Sequence, residues 1–200
     1  MVSVILAGGR NTRFPYPKAL IPLDGGTIIE RQIALLGKLT GRVIISTNTP
    51  EFYFHLGLPM VGDVVHSRWP VSGIYSALTW SGADAVLAVA CDMPFLAENL
   101  LRYVINHRGG DATVCMLDGR AEPLPGVYAA SALGAMQQCA LGVGTGSMVG
   151  LLQSLDTRYI SERDVRALDS EGRSFVNINT PKDRETKLRN SAGHAAGHVS

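Results

Sequence analysis

The first twenty residues constrain this chain more than any other stretch, because a short apolar run stops abruptly at a pair of glycines. The run is Val2–Leu6, and the glycines that follow it are Gly8 and Gly9. A short apolar run bounded by glycine is typical of a buried strand that leads into a loop. The sequence therefore predicts that the fold begins with a buried strand and a glycine loop.

The residues after these glycines are rich in positive charge. Arg10, Arg13 and Lys18 follow with no acidic residue among them. Backbone N–H groups in the glycine loop and these three cations can converge on one multiply charged anion, and a nucleoside triphosphate is the obvious candidate. The alternative is an ordinary strand-to-helix connection with solvated basic residues, and the glycine pair alone favours that plainer interpretation.

The next segments alternate between strand and helix patterns. Thr27 and Glu30 form a capping box before a helical repeat that reaches Thr40. A second strand is predicted within 42–47, and the uninterrupted apolar run Ala85–Ala90 predicts a central strand buried on both faces. Strands that alternate with helices indicate parallel pairing with right-handed crossovers. We therefore expect an α/β chain with a Rossmann-like, mostly parallel central sheet.

Several later segments have weaker patterns. The predicted elements there are a strand over Met60–Val65 interrupted at Gly62 and Asp63, strands over Ala112–Leu117 and Leu124–Ala129, a strand or extended segment over Phe175–Asn179, and a last helix from Thr180. From about Asn190 the chain is rich in Ser, Ala, Gly and His, which predicts a disordered tail over 190–200. Residues 1–189 are expected to form a single domain.

Composition limits the class of partner. The chain has 200 residues, 46% of them hydrophobic, and a formal net charge of +1 with both signs scattered along it. No basic face for nucleic acid or for a membrane surface is evident, so the expected target is a small molecule.

The cysteine pattern and the lengths of the apolar runs indicate the cellular compartment. Cys91, Cys115 and Cys139 are odd in number and far apart, which argues against a disulfide framework or a structural zinc site. The apolar run at the start of the chain is too short for a signal peptide, and no apolar stretch approaches the ~18 residues of a membrane span. These features predict a cytoplasmic protein.

Asp92 is the second strong signal, because it stands where the apolar run Ala85–Ala90 ends. In open α/β sheets, ligands bind outside the carboxyl ends of the strands, and both the Gly8–Gly9 loop and Asp92 occupy such ends. A carboxylate there suits Mg²⁺ that bridges the protein to phosphate oxygens. An aspartate that caps the following helix is the alternative, and the spacing alone leaves the two open.

The spacing of the glycine loop resembles a known signature. Residues 6–20 read LAGGRNTRFPYPKAL, which is similar to the LAGGxSxRMGxxKAL segment of the molybdenum cofactor guanylyltransferases, in the MobA-like NTP transferase family. Phe14 and Pro15 depart from the usual Met-Gly pair. Asp92 lies in a CDMPF segment that resembles the family's CDMPF or CDTPY motif, whose aspartate holds the metal.

Three further segments extend the resemblance over most of the chain. Pro70–Ile74 is similar to the family's GPLAGI segment, Glu122–Tyr128 to its EPLxAVY element, and Phe175–Lys182 to its FxNxNTPED element. Trp69 replaces the first glycine of the first segment, and Lys182 replaces an acidic residue of the last. These motifs, in the same order along the chain, imply the three-layer nucleotidyltransferase fold.

The resemblance implies roles for individual residues. The implied nucleotide-binding residues are Leu6, Ala7, Gly8, Gly9, Lys18, Ser46, Asp63 and Asp92, the catalytic ones are Arg13, Lys18 and Asp92, and Asn177 and Asn179 are placed near the metal or the second substrate. Ser46 falls where many guanylyl enzymes have an asparagine. Asp63 falls where they have a base-contacting aspartate, and a carboxylate can accept hydrogen bonds from guanine N1 and N2, a donor pair that cytosine lacks.

The implied reaction is the Mg²⁺-dependent transfer of GMP from GTP to the terminal phosphate of molybdopterin, with release of pyrophosphate. Mg²⁺ is the implied cofactor and GTP and molybdopterin are the implied substrates. Transient contact with other molybdenum cofactor enzymes is also implied, and the oligomeric state stays open.

Other functions remain open at this stage. A molybdopterin cytidylyltransferase is disfavoured because such relatives tend to have LAAG where residues 6–9 are LAGG. A sugar-phosphate nucleotidylyltransferase is suggested by Pro17–Lys18, although those enzymes are usually longer. A nucleotide-binding module that has lost transfer activity is a third alternative, suggested by the departures at Phe14, Pro15, Ser46, Trp69 and Lys182.

Overall fold

A seven-stranded sheet forms the centre of the protein. The computed structural model describes residues 1–8, 16–23, 25–65, 70–143 and 147–178. The sheet strands are β1 (Val2–Leu6), β4 (Val43–Ser46), β5 (Met60–Val61), β6 (Ala85–Ala90), β7 (Ala112–Leu117), β8 (Arg120–Ala129) and β9 (Thr157–Ile160), and a separate two-stranded ribbon is formed by β2 (Pro22–Leu23) and β3 (Gly26–Thr27).

The strand order is β5-β4-β1-β6-β8-β7-β9, and β8 alone in this sheet runs antiparallel to its neighbours. In the centre of the sheet, Leu6 lies opposite Ser46 on one side and Ala90 on the other. The four strands β5, β4, β1 and β6 are parallel, so their carboxyl ends meet at one edge of the sheet. The predicted mostly parallel α/β sheet is confirmed.

Helices cover both faces of the sheet. They are α1 (Ile28–Thr40), α2 (Val71–Ser81), α3 (Glu98–Asn106), α4 (Leu133–Ala140), α5 (Met148–Ser154) and α6 (Glu162–Leu168). Buried side chains of α1, α3 and α6 form one apolar cluster with the sheet, and those of α2, α4 and α5 form the other. The result is the expected three-layer arrangement. Among the described residues, the helices are too short or too polar to cross a membrane.

The local signals for α1 are confirmed in detail. The backbone N–H of Glu30 donates to Thr27 Oγ1, and the Glu30 carboxylate accepts from the Thr27 backbone N–H at 2.7 Å. At the other end, Gly41 ends the helix in the left-handed conformation with φ of 69°, which glycine adopts at little cost. The capping box therefore fixes where α1 begins.

Two predicted strands differ from the structure. The strand expected over Met60–Val65 ends at Val61, because the next backbone donors turn to side chains: the Asp63 N–H donates to Asn48 Oδ1 and the Val64 N–H to Ser76 Oγ. In the strand or extended segment expected over Phe175–Asn179, Phe175 ends a 3₁₀ turn over Arg173–Phe175 and Val176 is extended. Residues 176–178 have no strand pairing, and Asn179 lies outside the described residues. The predicted helix from Thr180 and the predicted tail over 190–200 lie outside the described residues.

Candidate functional site

The carboxyl ends of β1, β4 and β6 are joined by backbone hydrogen bonds. The Ala7 N–H donates to the Ser46 carbonyl at 2.8 Å, and the Cys91 N–H donates to the Leu6 carbonyl at 3.2 Å. Gly8 follows as an exposed residue, and a Cβ added there would meet no heavy atom within 4 Å among the residues that the structure describes. The end of β1 is therefore held from both sides.

Lys18 and Asp92 meet at this edge. Lys18 opens a 3₁₀ turn over Lys18–Leu20 that is anchored by the fully buried Ala19, and Asp92 follows β6. The Lys18 Nζ atom lies 3.4 Å from Asp92 Oδ2, and the two side chains are 23% and 18% exposed. A cation suited to phosphate oxygens thus lies beside a carboxylate suited to a hard metal ion.

The loop that carries Asp92 is held from two directions. The Ile178 N–H donates to the Asp92 carbonyl at 2.9 Å, which brings the neighbouring Asn177 to this loop. From α1, the Gln32 side-chain amide donates to the carbonyls of Ala90 and Met93, at 2.9 Å each.

Asp63 lies at the end of β5, on the opposite side of β1 from Asp92. Its partner is Asn48, which follows β4: Asn48 Nδ2 donates to Asp63 Oδ2 at 2.7 Å, and the Asp63 N–H donates to Asn48 Oδ1 at 2.9 Å. The amide of Asn48 thus fixes one carboxylate oxygen of Asp63. The other oxygen, Oδ1, keeps acceptor capacity for a ligand.

Asn48 was not selected from the sequence. The sequence resemblance aligns Ser46 with the asparagine of many guanylyl enzymes. An asparagine, Asn48, nevertheless follows two residues later, just beyond the same strand. The signal was present in Asn48 itself, the first side-chain amide after β4. The predicted role of Ser46 near the nucleotide stays a prediction.

Ser46 itself is buried beneath the first turn of α2. Its side chain is 3% exposed, and a Cβ added at Gly73 would lie 2.5 Å from Ser46 Oγ and 2.8 Å from Leu6 Cδ2. Glycine at position 73 therefore permits the start of α2 to approach the ends of β1 and β4. This contact brings the N-terminal end of a helix, which carries the positive end of the helix dipole, to the same edge.

Most of the predicted site residues that the structure describes lie along one arc. Asp63, Ser46, the segment Leu6–Gly8 and Asp92 follow the strand order β5-β4-β1-β6, and Lys18 and Asn177 lie at its Asp92 end. Three strand spacings of about 4.8 Å give the arc a length of roughly 14 Å. The predicted residues Gly9, Arg13 and Asn179 lie outside the described residues.

The residues of the arc suit a metal ion that binds together with the phosphates of a nucleotide. Among the described residues, no group of three or more His, Cys, Asp or Glu side chains could hold an ion. Mg²⁺ commonly takes one or two protein carboxylates and completes its coordination with phosphate oxygens and water. Asp92 fits that requirement as a protein ligand in a site shared with phosphates.

Cys91 stands beside Asp92 as a neutral thiol. Burial, together with the negative charge of Asp92 and against the opposing effect of Lys18, raises the pKa of this thiol to about 12. A thiol with this pKa is neither a nucleophile nor a thiolate ligand near neutral pH. Asp92 and Lys18, and not Cys91, therefore supply the charged side chains described at this strand end.

Comparison with known proteins places the chain in a sequence family. The family model for the MobA-like NTP transferase domain matches residues 3–177. A protein named probable molybdenum cofactor guanylyltransferase from Pelotomaculum thermopropionicum is 34% identical over 181 residues, which cover 90% of this chain and 88% of that protein. A molybdenum cofactor guanylyltransferase from Syntrophotalea carbinolica is 29% identical, covering 96% of this chain and 92% of that protein.

Solved structures share the fold. The molybdopterin-guanine dinucleotide biosynthesis protein A from Archaeoglobus fulgidus superposes with a TM-score of 0.80 at 24% identity, covering 96% of this chain and 100% of that one. The 2-C-methyl-D-erythritol 4-phosphate cytidylyltransferase from Thermus thermophilus superposes with a TM-score of 0.66 at 18% identity, covering 97% and 98%. Because the fold is shared by proteins named for different bases, base choice must be argued from side chains.

Proposed function

We propose that this chain, which belongs to the MobA-like NTP transferase family, transfers GMP from GTP to the terminal phosphate of molybdopterin and releases pyrophosphate. The family makes it a nucleotidyltransferase, and its relatives connect it to molybdenum cofactor biosynthesis. The proposal adds the base, the acceptor and the metal. The observation that supports the proposal is the difference between the two ends of the arc: the Asn48–Asp63 pair lies at one end and the Lys18–Asp92 ion pair at the other.

The Asn48–Asp63 pair supports guanine as the base. Asn48 donates to Asp63 Oδ2 and so fixes the plane of the carboxylate. Asp63 Oδ1 can then accept from guanine N1 and N2, which are neighbouring donors on one edge of the base. Cytosine has no such pair of donors, and adenine presents an acceptor at N1. The carboxylate therefore favours GTP over CTP and ATP.

The other end of the arc supports the triphosphate. Lys18 supplies a positive charge, Gly8 is exposed, and the start of α2 comes close to the same edge because residue 73 is glycine. Cations and backbone N–H groups are the usual partners of phosphate oxygens. Arg13 is proposed to join Lys18 on the β- and γ-phosphates.

The reaction needs alignment more than proton transfer. An oxygen of the acceptor phosphate attacks the α-phosphorus, a new P–O bond forms, and the bond to the bridging oxygen of the β-phosphate breaks as pyrophosphate leaves. The attacking group is already an anion, so no strong base is required. Lys18 and Arg13 stabilise the negative charge that develops on the leaving pyrophosphate. Asp92 would hold a Mg²⁺ ion, which would supply positive charge to the phosphates.

Asn177 and Asn179 are proposed to contact the acceptor. The Ile178 N–H bond to the Asp92 carbonyl brings Asn177 to the loop that carries the proposed metal ligand. The acceptor phosphate is proposed to bind beside this loop. Side-chain amides there can donate hydrogen bonds to its oxygens.

Nucleotide-binding calorimetry tests this proposal. The purified protein is titrated with GTP, CTP and ATP, with and without Mg²⁺, and the Asp63→Asn variant is titrated in parallel. We expect Mg²⁺-dependent binding that prefers GTP, and a loss of that preference in Asp63→Asn. Preference for CTP would indicate a cytidylyltransferase instead. Binding of GTP without any release of pyrophosphate in the presence of molybdopterin would indicate a module without transfer activity.

A further inference from the structure

Gln32 is a polar residue at a core position of α1. The buried residues of this helix are Ile28, Ile29, Gln32 and Leu36, and Gln32 is 3% exposed. An aliphatic side chain in this row would pack without needing any hydrogen bond, whereas a buried amide must satisfy its polar groups. The presence of glutamine here therefore requires an explanation.

The amide group of Gln32 bridges the loop that follows β6. Its Nε2 atom donates to the Ala90 carbonyl and to the Met93 carbonyl, both at 2.9 Å. Ala90 ends the strand, Met93 begins the return of the chain, and Asp92 lies between them. The Met93 N–H also donates to the Ala90 carbonyl at 3.3 Å, so the bridge reinforces a backbone turn that already exists.

The oxygen atom of the same amide accepts no hydrogen bond from the described residues. Gln32 Oε1 is buried, and no hydrogen-bond donor reaches it from the residues that the structure describes. Turning the amide over would place this oxygen against two carbonyl oxygens, so the orientation of the amide is set by these two acceptors. A buried acceptor without a donor costs stability. At this position the cost of the unsatisfied Oε1 atom accompanies the two hydrogen bonds that the Gln32 Nε2 group donates to the loop.

We infer that Gln32 is a positioning residue for Asp92. It contacts the loop from α1, while the Ile178 N–H holds the Asp92 carbonyl from the C-terminal segment. Gln32 acts through the backbone on either side of Asp92 and so determines where the carboxylate stands relative to Lys18. The inference rests on the proposed function for what Asp92 then binds.

Loss of the bridge has a specific consequence. The turn from Ala90 to Met93 would keep its single backbone bond, and the loop would open more often. The carboxylate of Asp92 would spend less time at the position that binds a metal with the phosphates, so metal affinity and turnover fall. Base recognition at Asp63 lies at the other end of the arc and should not change.

The test replaces Gln32 with methionine, which has similar length and no N–H donor. Leu36→Met is the matched control, because Leu36 is fully buried one turn further along the same helix. Amide hydrogen exchange of Met93 reports the loop without reference to activity, and Mn²⁺ binding in the presence of GTP reports the carboxylate. Gln32→His, whose imidazole keeps an N–H donor at similar reach, is the rescue variant.

We expect Met93 exchange to be about tenfold faster and Mn²⁺ affinity about tenfold weaker in Gln32→Met, with GTP affinity in the absence of metal unchanged. Gln32→His should recover part of both losses, and Leu36→Met should match the wild type. If Gln32→Met fails to fold, Gln32→Leu, which also lacks an N–H donor, replaces it: faster Met93 exchange than in Leu36→Met supports the inference, and equal exchange overturns it.

Wild-type exchange and wild-type Mn²⁺ affinity in Gln32→Met would overturn the inference. The Asp92→Asn variant separates this failure from that of the proposed function. Unchanged Mn²⁺ binding in Asp92→Asn would contradict the metal site itself, and the exchange rates would still decide whether Gln32 holds the loop.

Discussion

Lys18 and Asp92 are 74 positions apart in the chain, yet the Lys18 ammonium lies 3.4 Å from the Asp92 carboxylate. Both side chains are mostly shielded from solvent, so their opposite charges balance each other at the carboxyl edge of the sheet. In the proposed reaction these charges act on different groups, with Lys18 on the phosphates and Asp92 on the metal. The pair therefore holds the proposed phosphate-binding cation beside the proposed metal ligand in the absence of any ligand.

Replacing Lys18 tests its part in this pair. Lys18→Met keeps much of the side-chain length and removes the charge, so the developing charge on pyrophosphate loses a partner. We expect turnover to fall by about 100-fold with little change in thermal stability. Steady-state kinetics and a thermal melt measure the two effects. A variant that unfolds readily but keeps wild-type turnover per folded molecule would assign Lys18 a structural role.

Asn48 provides a test of base selection. Asn48→Ala removes the donor that fixes Asp63 Oδ2 and the acceptor of the Asp63 N–H. The carboxylate is then free to rotate, and we expect the ratio of GTP to CTP binding to fall by about tenfold. Competition calorimetry measures that ratio. Ser46→Ala is the matched variant on the same strand end, and a larger loss of selectivity there would contradict the assignment to Asn48.

Gly73 tests the close approach of α2 to the strand ends. In Gly73→Ala the new methyl group meets Ser46 Oγ and Leu6 Cδ2. We expect the free energy of unfolding to fall by about 1–3 kcal/mol, together with weaker nucleotide binding. Chemical denaturation and calorimetry measure the two quantities.

Gly37→Ala is the control for that variant, because a Cβ at position 37 of α1 meets no heavy atom within 4 Å in the part of the chain that the structure describes. Alanine there should stabilise the protein by about 0.5–1 kcal/mol. Equal effects of the two substitutions would contradict a role for close packing at Gly73.

Cys91 gives a prediction with a defined pH dependence. Burial and Asp92 raise its pKa from 9.0 to about 12, so the native thiol should resist iodoacetamide at pH 8 and react faster as the pH rises. The folded pKa lies above that of the unfolded thiol. The stabilisation is therefore complete below about pH 9 and is lost as the pH rises towards 12. Peptide mapping of labelled protein measures the reaction, and rapid labelling of native Cys91 at pH 8 would contradict the account.

The sequence alone was sufficient to predict the elements with strong local signals. β1 ends where the glycines begin, α1 begins at the Thr27–Glu30 capping box, and Ala85–Ala90 forms a strand in the middle of the sheet. In each case the pattern within one segment determines the element. The prediction that Asp92 lies at a strand end followed from the strand Ala85–Ala90.

Contacts between distant segments could not be predicted in the same way. The bridge from Gln32 to the loop of Asp92 joins residues 58 and 61 positions apart, and nothing local to α1 distinguishes this glutamine from a surface residue. The short β5 is a similar case, since the Val64 N–H bonds to Ser76 of a helix that follows it. Such choices depend on which side chain reaches a backbone donor in three dimensions.

The most direct test of the central claim is a transfer assay with molybdopterin and GTP labelled at the α-phosphate, in wild type and in Asp92→Asn. The account predicts a guanine dinucleotide product with one pyrophosphate released per transfer, poor use of CTP, and a loss of about 100-fold or more in the folded variant. Absence of product from GTP, preference for CTP, or unchanged turnover in folded Asp92→Asn would contradict it.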